Sequence, residues 1–164
     1  MQILDRLTAA LGWLAAFLFV LAGAMLTWEV VARYFFVRPT IWAAELSQYR
    51  LIWGCMLAMA SVLRRRRHIA VTAGLSLMGT DARRWADLAA LAAVLAFSLV
   101  LLVYGFDIFW DSFVRGRTAG TMLDPPVWTL EIALPVGFAL LAVQCMAEMV
   151  RTWHHGAPEI GGHE

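Results

Sequence analysis

Four long stretches of the chain are almost free of charge, and short clusters of charged and turn-forming residues separate them. The first runs from Leu7 to Trp28, after Asp5 and Arg6. As a helix its roughly 22 residues would rise about 33 Å, enough to cross a hydrocarbon core of about 30 Å. A cleaved signal peptide is the rival reading, because Ala22-Gly23-Ala24 resembles a small-residue cleavage site. The long apolar core and the single leading arginine favour a retained helix. Glu29, Arg33, Arg38 and Pro39 then read as a short polar turn.

The second stretch, 42–63, carries Glu45 and Arg50 in its leading part and stops at Arg64, Arg65, Arg66 and Arg67, followed by His68. A core of about 20 residues counted back from Arg64 reaches Ala44, so Glu45 and Arg50 fall inside one end of the bilayer and need partners or water. The segment 68–80 is apolar but too short to cross, and is predicted to lie along the membrane surface. The third stretch is 85–106. Asp107, Asp111, Arg115 and Arg117 mark the loop after it, where Asp124-Pro125-Pro126 bars a helix from continuing. The fourth is 130–150, with Pro135 near its start, and the tail 154–164, rich in glycine and histidine, is expected to be disordered. The pattern therefore predicts a single all-α membrane domain over 1–164, with four transmembrane helices and a short interfacial segment between the second and third.

Composition agrees with a bilayer rather than water as solvent. Hydrophobic residues make up 62% of 164 positions and charged ones 15%, with a mean hydropathy of +0.71, against roughly 45–50% and 25% in soluble domains. No separate soluble domain fits beside four spans. Cys55 and Cys145 are isolated in apolar runs and read as small packing residues, not as a disulfide.

The placement of charge predicts orientation. Every basic residue is an arginine. If both termini are cytoplasmic, Arg6, Arg64 to Arg67, Arg83, Arg84 and Arg151 lie inside, while only Arg33, Arg38, Arg115 and Arg117 lie outside. An arginine excess holds its side in the cytoplasm, so Arg64, Arg65, Arg66, Arg67 and His68 read as a cytoplasmic anchor. Trp13, Trp28, Trp42, Trp85, Trp110, Trp128 and Trp153 fall near predicted span ends, as interfacial anchoring favours; Trp53 does not.

The helices lack what a self-sufficient transporter needs, which is strongly polar groups near the midplane. Gln144 reads as an interhelical hydrogen-bond partner. His68, His154, His155 and His163 lie outside the spans, so no pair of them offers axial haem ligands. No catalytic constellation occurs, an enzyme is not expected, and neither a cofactor nor a nucleic-acid partner is expected. A polar cluster does gather at the predicted outer ends: Glu29, Arg33, Glu45, Arg50, Asp107, Asp111 and Glu131. Its members pair among themselves, or else Glu45 and Arg50 meet a second membrane protein or support a surface for a soluble one. Small residues at Gly54-x-x-x-Ala58, Ala89-x-x-x-Ala93 and Ala92-x-x-x-Ala96 permit close helix contact. A chain with surfaces but no site of its own suggests a subunit.

Three segments together resemble the small membrane (Q-type) subunit of TRAP transporters, the tripartite ATP-independent periplasmic family. They are A-R-Y-F-F-V-R-P-T-I-W-A-A-E-L from Ala32 to Leu46, R-R-R-R-H-I-A-V from Arg64 to Val71, and G-R-T-A-G-T-M-L-D-P-P-V-W from Gly116 to Trp128 with I-A-L-P-V-G after it. The chain departs from the pattern at Ala44, Ala58 and Thr72. The resemblance implies an accessory scaffold in a sodium-coupled importer of organic acids in the bacterial inner membrane. It implies two partners, a large multi-helix subunit holding the sodium and substrate sites and a periplasmic solute-binding protein. It also implies that Trp42, Glu45 and Arg50, with Glu29 and Arg33, belong to the interface or outer turn, and that no residue here touches substrate. The alternatives are a membrane anchor for a redox enzyme, which would need cofactor ligands in the spans, and a small homo-oligomeric transporter, which would need an ionisable group near the midplane.

Overall fold

The computed structural model describes residues 2–36, 40–65, 80–121 and 123–155. These residues form α1 (Gln2–Phe35), α2 (Ile41–Arg65), α3 (Thr80–Arg115), the single turn α4 (Trp128–Glu131) and α5 (Ala133–His155). Among the described residues there is no strand, only an isolated antiparallel bridge between Thr118 and Pro126. Among the described residues four spans are long and apolar enough to cross a membrane: Arg6–Phe35, Trp42–Leu63, Arg84–Arg115 and Trp128–Trp153, the last joining α4 to α5. The surface segment and the tail expected from the sequence lie outside the described residues, apart from His154 and His155, which close α5.

The helices run further than the uncharged stretches. Glu29 and Arg33 stand on α1 and do not form a turn, while Asp107, Asp111 and Arg115 stand on the last turns of α3 and not in a loop. A charge at a membrane boundary moves a helix into water without ending it. What ends a helix is a residue that cannot continue it. α3 stops at Gly116, whose φ of 58° is left-handed. Its N–H donates to the Phe113 carbonyl and that of Arg117 to the Ser112 carbonyl, the paired bonds of a Schellman cap. The fourth span breaks at Ile132 because Pro135 has no N–H to donate back to Glu131.

The four crossing segments form an open row and not a closed bundle. α1 packs on α2, α2 on α5, and α5 on α3; among the described residues no comparable packing joins α1 to α3 or α5, or α2 to α3. α5, last in sequence, is thus an inner member of the row, and 44% of its span is buried against 11% for α1 and for α3. The apolar core is centred on its Phe138, Leu141 and Cys145, with Met59 and Leu63 of α2 and Val94, Leu95, Leu101 and Leu102 of α3 against them.

Small residues set the close approaches. A Cβ on Gly137 would lie 2.8 Å from Met56 Cβ, so α5 meets α2 there backbone to side chain. Gly54 of α2 faces Phe19 and the Ala15 carbonyl of α1, and Gly105 of α3 faces Leu134 and Pro135. Ala89, Ala92, Ala93 and Ala96 do not serve in this way: all four are exposed on α3 and touch no other helix of the row closely. Cys145 is buried as expected, but Cys55 is exposed.

Candidate functional site

The row has two ends. One carries the α1–α2 turn and the loop before α4, and is called here the loop end. The other carries Arg64 and Arg65 at the close of α2, with Arg84 and Arg151, and is the arginine end.

At the loop end, residues 116–127 fold back on themselves. The Val127 N–H donates to the Arg117 carbonyl at 3.0 Å and the Ala119 N–H to the Pro125 carbonyl at 3.1 Å. Asp124 takes a positive φ of 44°, and its Oδ1 accepts the Gly120 N–H at 3.0 Å, while its own N–H donates to the Thr121 carbonyl. Aspartate is among the few side chains that occupy this region readily, because it can hydrogen-bond the local backbone. The loop is held by its own backbone, and two contacts tie it to the helices. Thr121 Oγ1 donates to Glu45 Oε2 on α2 at 3.0 Å. Arg117 pairs with Asp111 on α3 at 2.8 Å, sharing that carboxylate with Arg115 at 2.6 Å. Trp53 Nε1 donates to the Thr129 carbonyl at 3.2 Å, fixing α4 to α2. Exposed ion pairs contribute at most about 1 kcal/mol each, so the backbone bonds and the indole contribute more to the loop's order.

The polar residues of this end do not form one cluster. Glu29 pairs with Arg33 along α1 and is buried. Glu45 is taken by the loop, and Arg50 makes no ion pair with it; Arg50 Nη1 instead donates to the Leu46 carbonyl at 3.1 Å. Trp42 and Asp107 are exposed. Glu131 is half-buried, and its Oε2 has no hydrogen-bond partner among the described residues.

At the arginine end a set of residues emerges that the spacing of charges did not single out. Glu148 is 2% exposed and Gln144 fully buried. Glu148 Oε1 accepts from Gln144 Nε2 at 3.1 Å and from Arg151 Nη1 at 3.0 Å, all within α5. Gln144 therefore bonds along its own helix and not across to another. The three recur at i, i+4 and i+7, a pattern visible in the sequence, but only the burial of α5 between two neighbours shows that it faces inward. Arg84 of α3 closes this end by donating to the Trp153 carbonyl and lying 5.3 Å from the centre of the Trp153 ring, which also meets Trp85 edge-on. The side chains of Arg64 and Arg65, and all of Arg66, Arg67 and His68, lie outside the described residues. Among the described residues no three His, Cys, Asp or Glu side chains gather as a metal site would require.

A family model described as "Tripartite ATP-independent periplasmic transporters, DctQ component" matches residues 22–155, from the middle of α1 to the end of α5. The chain belongs to this family. The matched residues include the three segments that carried the resemblance and the whole loop end. A relative from Vibrio cholerae, the C4-dicarboxylate TRAP transporter small permease protein DctQ, is 28% identical over 146 residues. The aligned part is 75% of this chain and 62% of that relative, so the chain spans less than two thirds of the relative's length. A DctQ chain is a transporter component and not an enzyme, and with four crossing helices this one is a multi-pass inner-membrane protein.

Proposed function

We propose that the chain is the scaffold subunit of a sodium-coupled secondary transporter that imports organic acids handed over by a periplasmic binding protein. Carboxylates are the class that the Vibrio relative's name gives. The observation that carries the proposal is the open row. Its helices bury little against one another, and among the described residues no acidic or basic side chain stands at the middle of a span. A path for sodium and a carboxylate needs polar groups at mid-membrane, so those sites belong to a large membrane subunit and this chain needs no cofactor of its own. An open row supports such a subunit because its faces are left uncovered.

The arginine excess supports a cytoplasmic arginine end, with both termini and the anchor Arg64 to His68 on that side. The loop end then faces the periplasm, where the ordered 116–127 loop, pinned through Glu45, is the surface offered to the binding protein, with Trp42, Glu29 and Arg33 at its rim. The test is to co-express the chain with the large subunit of its transporter, recover the complex from detergent, and measure sodium-driven uptake of a dicarboxylate in proteoliposomes with the binding protein. A one-to-one complex whose uptake needs both membrane chains is expected. Uptake by this chain alone, or undiminished uptake without it, would overturn the proposal.

A further inference from the structure

Arg50 is deeper than a rim residue. It stands eight positions after Trp42 on α2, about 12 Å along the axis, in a span of 22 residues whose length is about 33 Å. Its Cα therefore lies about a third of the way across the span from the loop end. The side chain rises toward the start of α2, as helix geometry directs, and the bond to the Leu46 carbonyl holds the guanidinium about one turn higher. That is still within the hydrocarbon if Trp42 marks its boundary.

A charge at this depth is costly and calls for an opposite charge. Among the described residues none is supplied: no carboxylate pairs with Arg50, and the nearest acid along α2, Glu45, bonds the loop. The other described acids of the loop end, Glu29, Asp107, Asp111 and Glu131, make no bond to it either. Nor does a second copy meet the need, since a two-fold contact through this face would set Arg50 against Arg50.

Around Arg50 the surface is shaped to receive something. A groove of about 500 Å³ runs between α1 and α2, walled by Tyr49 and Trp53 and floored by leucines, with Leu46 above Arg50 and Leu57, Leu14 and Leu18 below. The Tyr49 hydroxyl, on the same wall, is buried without a partner. An apolar trough with a single cation partway along it is complementary to an apolar transmembrane helix bearing one carboxylate. A lipid phosphate sits higher, at the headgroup level, and would reach Arg50 only where the bilayer thins.

We propose that this groove is the seat of a transmembrane helix of the large subunit, and that an Asp or Glu on that helix forms an intramembrane ion pair with Arg50. The pairing presupposes that the chain is a transporter subunit, and it adds which face meets the partner and through what chemistry.

The experiment uses the complex of both membrane chains. Photo-crosslinking residues placed at positions 14, 18 and 46, in separate variants, are expected to label one helix of the large subunit, close to an acidic residue. Arg50→Leu should accumulate in the membrane at least as well as wild type when the chain is expressed alone, because a charge has been removed. It should co-purify with the large subunit at least roughly tenfold less, because the partner's carboxylate is left buried without its opposite charge. Arg50→Glu should be rescued by an acid→Arg change at the labelled site. Labelling of lipid alone would overturn the proposed seat, and normal assembly of Arg50→Leu would overturn the pairing. Normal assembly with a raised KM for the dicarboxylate would instead assign Arg50 to the solute. Failure of the wild-type chain to co-purify would be a failure of the subunit assignment, distinguishable from all of these.

Discussion

Thr121 Oγ1 donates to Glu45 Oε2 at 3.0 Å across 76 positions of sequence, and so couples the loop after α3 to the first turns of α2. Both residues belong to the surface assigned to the binding protein. Thr121→Val keeps the shape and removes the donor. The bond is solvent-exposed, so its loss costs on the order of 1 kcal/mol or less. Affinity of the binding protein for the membrane complex should fall up to about fivefold, while the amount of complex recovered is unchanged. Glu45→Gln, which still accepts from Thr121, should fall less. Surface plasmon resonance on nanodisc-held complex measures both, and equal affinities in all three would separate the loop from docking.

Gly137 is where α5 passes α2. A Cβ there would lie 2.8 Å from Met56 Cβ and 3.2 Å from Met56 Cα, so the helices must part. Gly137→Val is expected to destabilise the chain by about 1–3 kcal/mol through overpacking, seen as a lowered melting temperature in detergent. Gly23→Ala is the matched control, since no atom lies within 4 Å of its Cβ position. Similar melting shifts for the two would contradict the row geometry.

Glu148 is held within α5 by Gln144 and Arg151. Glu148→Ala leaves both without that acceptor in a buried place, and the expected loss is about 3–5 kcal/mol. Glu148→Gln retains an acceptor and should lose clearly less. Thermal unfolding of the two variants, followed by circular dichroism, checks the order; an Ala variant as stable as the Gln variant would show that the buried carboxylate is not a structural partner.

Trp53 differs from the other tryptophans in its role. Its indole N–H donates to the Thr129 carbonyl and ties α4 to α2, well inside the span. Trp53→Phe should cost about 1 kcal/mol, a shift of roughly 2–4 °C in the melting temperature for a chain of this size. Trp13→Phe, at an exposed position, should shift it by less.

Orientation is open to a direct check. A cysteine placed at Ala119 in a cysteine-free background should react with a membrane-impermeant maleimide added from the periplasmic side. One placed at Ser61, which is buried against α1, should not. Labelling of Ala119 only in inverted vesicles would reverse the assigned topology.

The sequence by itself determined that four helices cross a bilayer, because length and apolar content are local properties and 20 or so uncharged residues leave the backbone no other way to satisfy its hydrogen bonds in lipid. It also showed Arg50 as a charge within a span, and it held the three segments from which the family was recognised. The helix ends were less legible: Glu29, Asp107 and Asp111 mark where polarity begins, but Gly116 and Pro135 are where the backbone stops or breaks. The neighbours were not legible at all. Alanine at high frequency makes every helix of this chain look ready for close packing, and only the tertiary structure decided that Gly54, Gly105 and Gly137 make the contacts while Ala89, Ala92, Ala93 and Ala96 stay exposed. In lipid no water drives apolar faces together, so partners are chosen by shape and by a few polar bonds between distant positions. Those pairings, Trp53 with Thr129 and Arg84 with Trp153 among them, place the last helix inside the row, bury Glu148 and leave Arg50 lining a groove between α1 and α2.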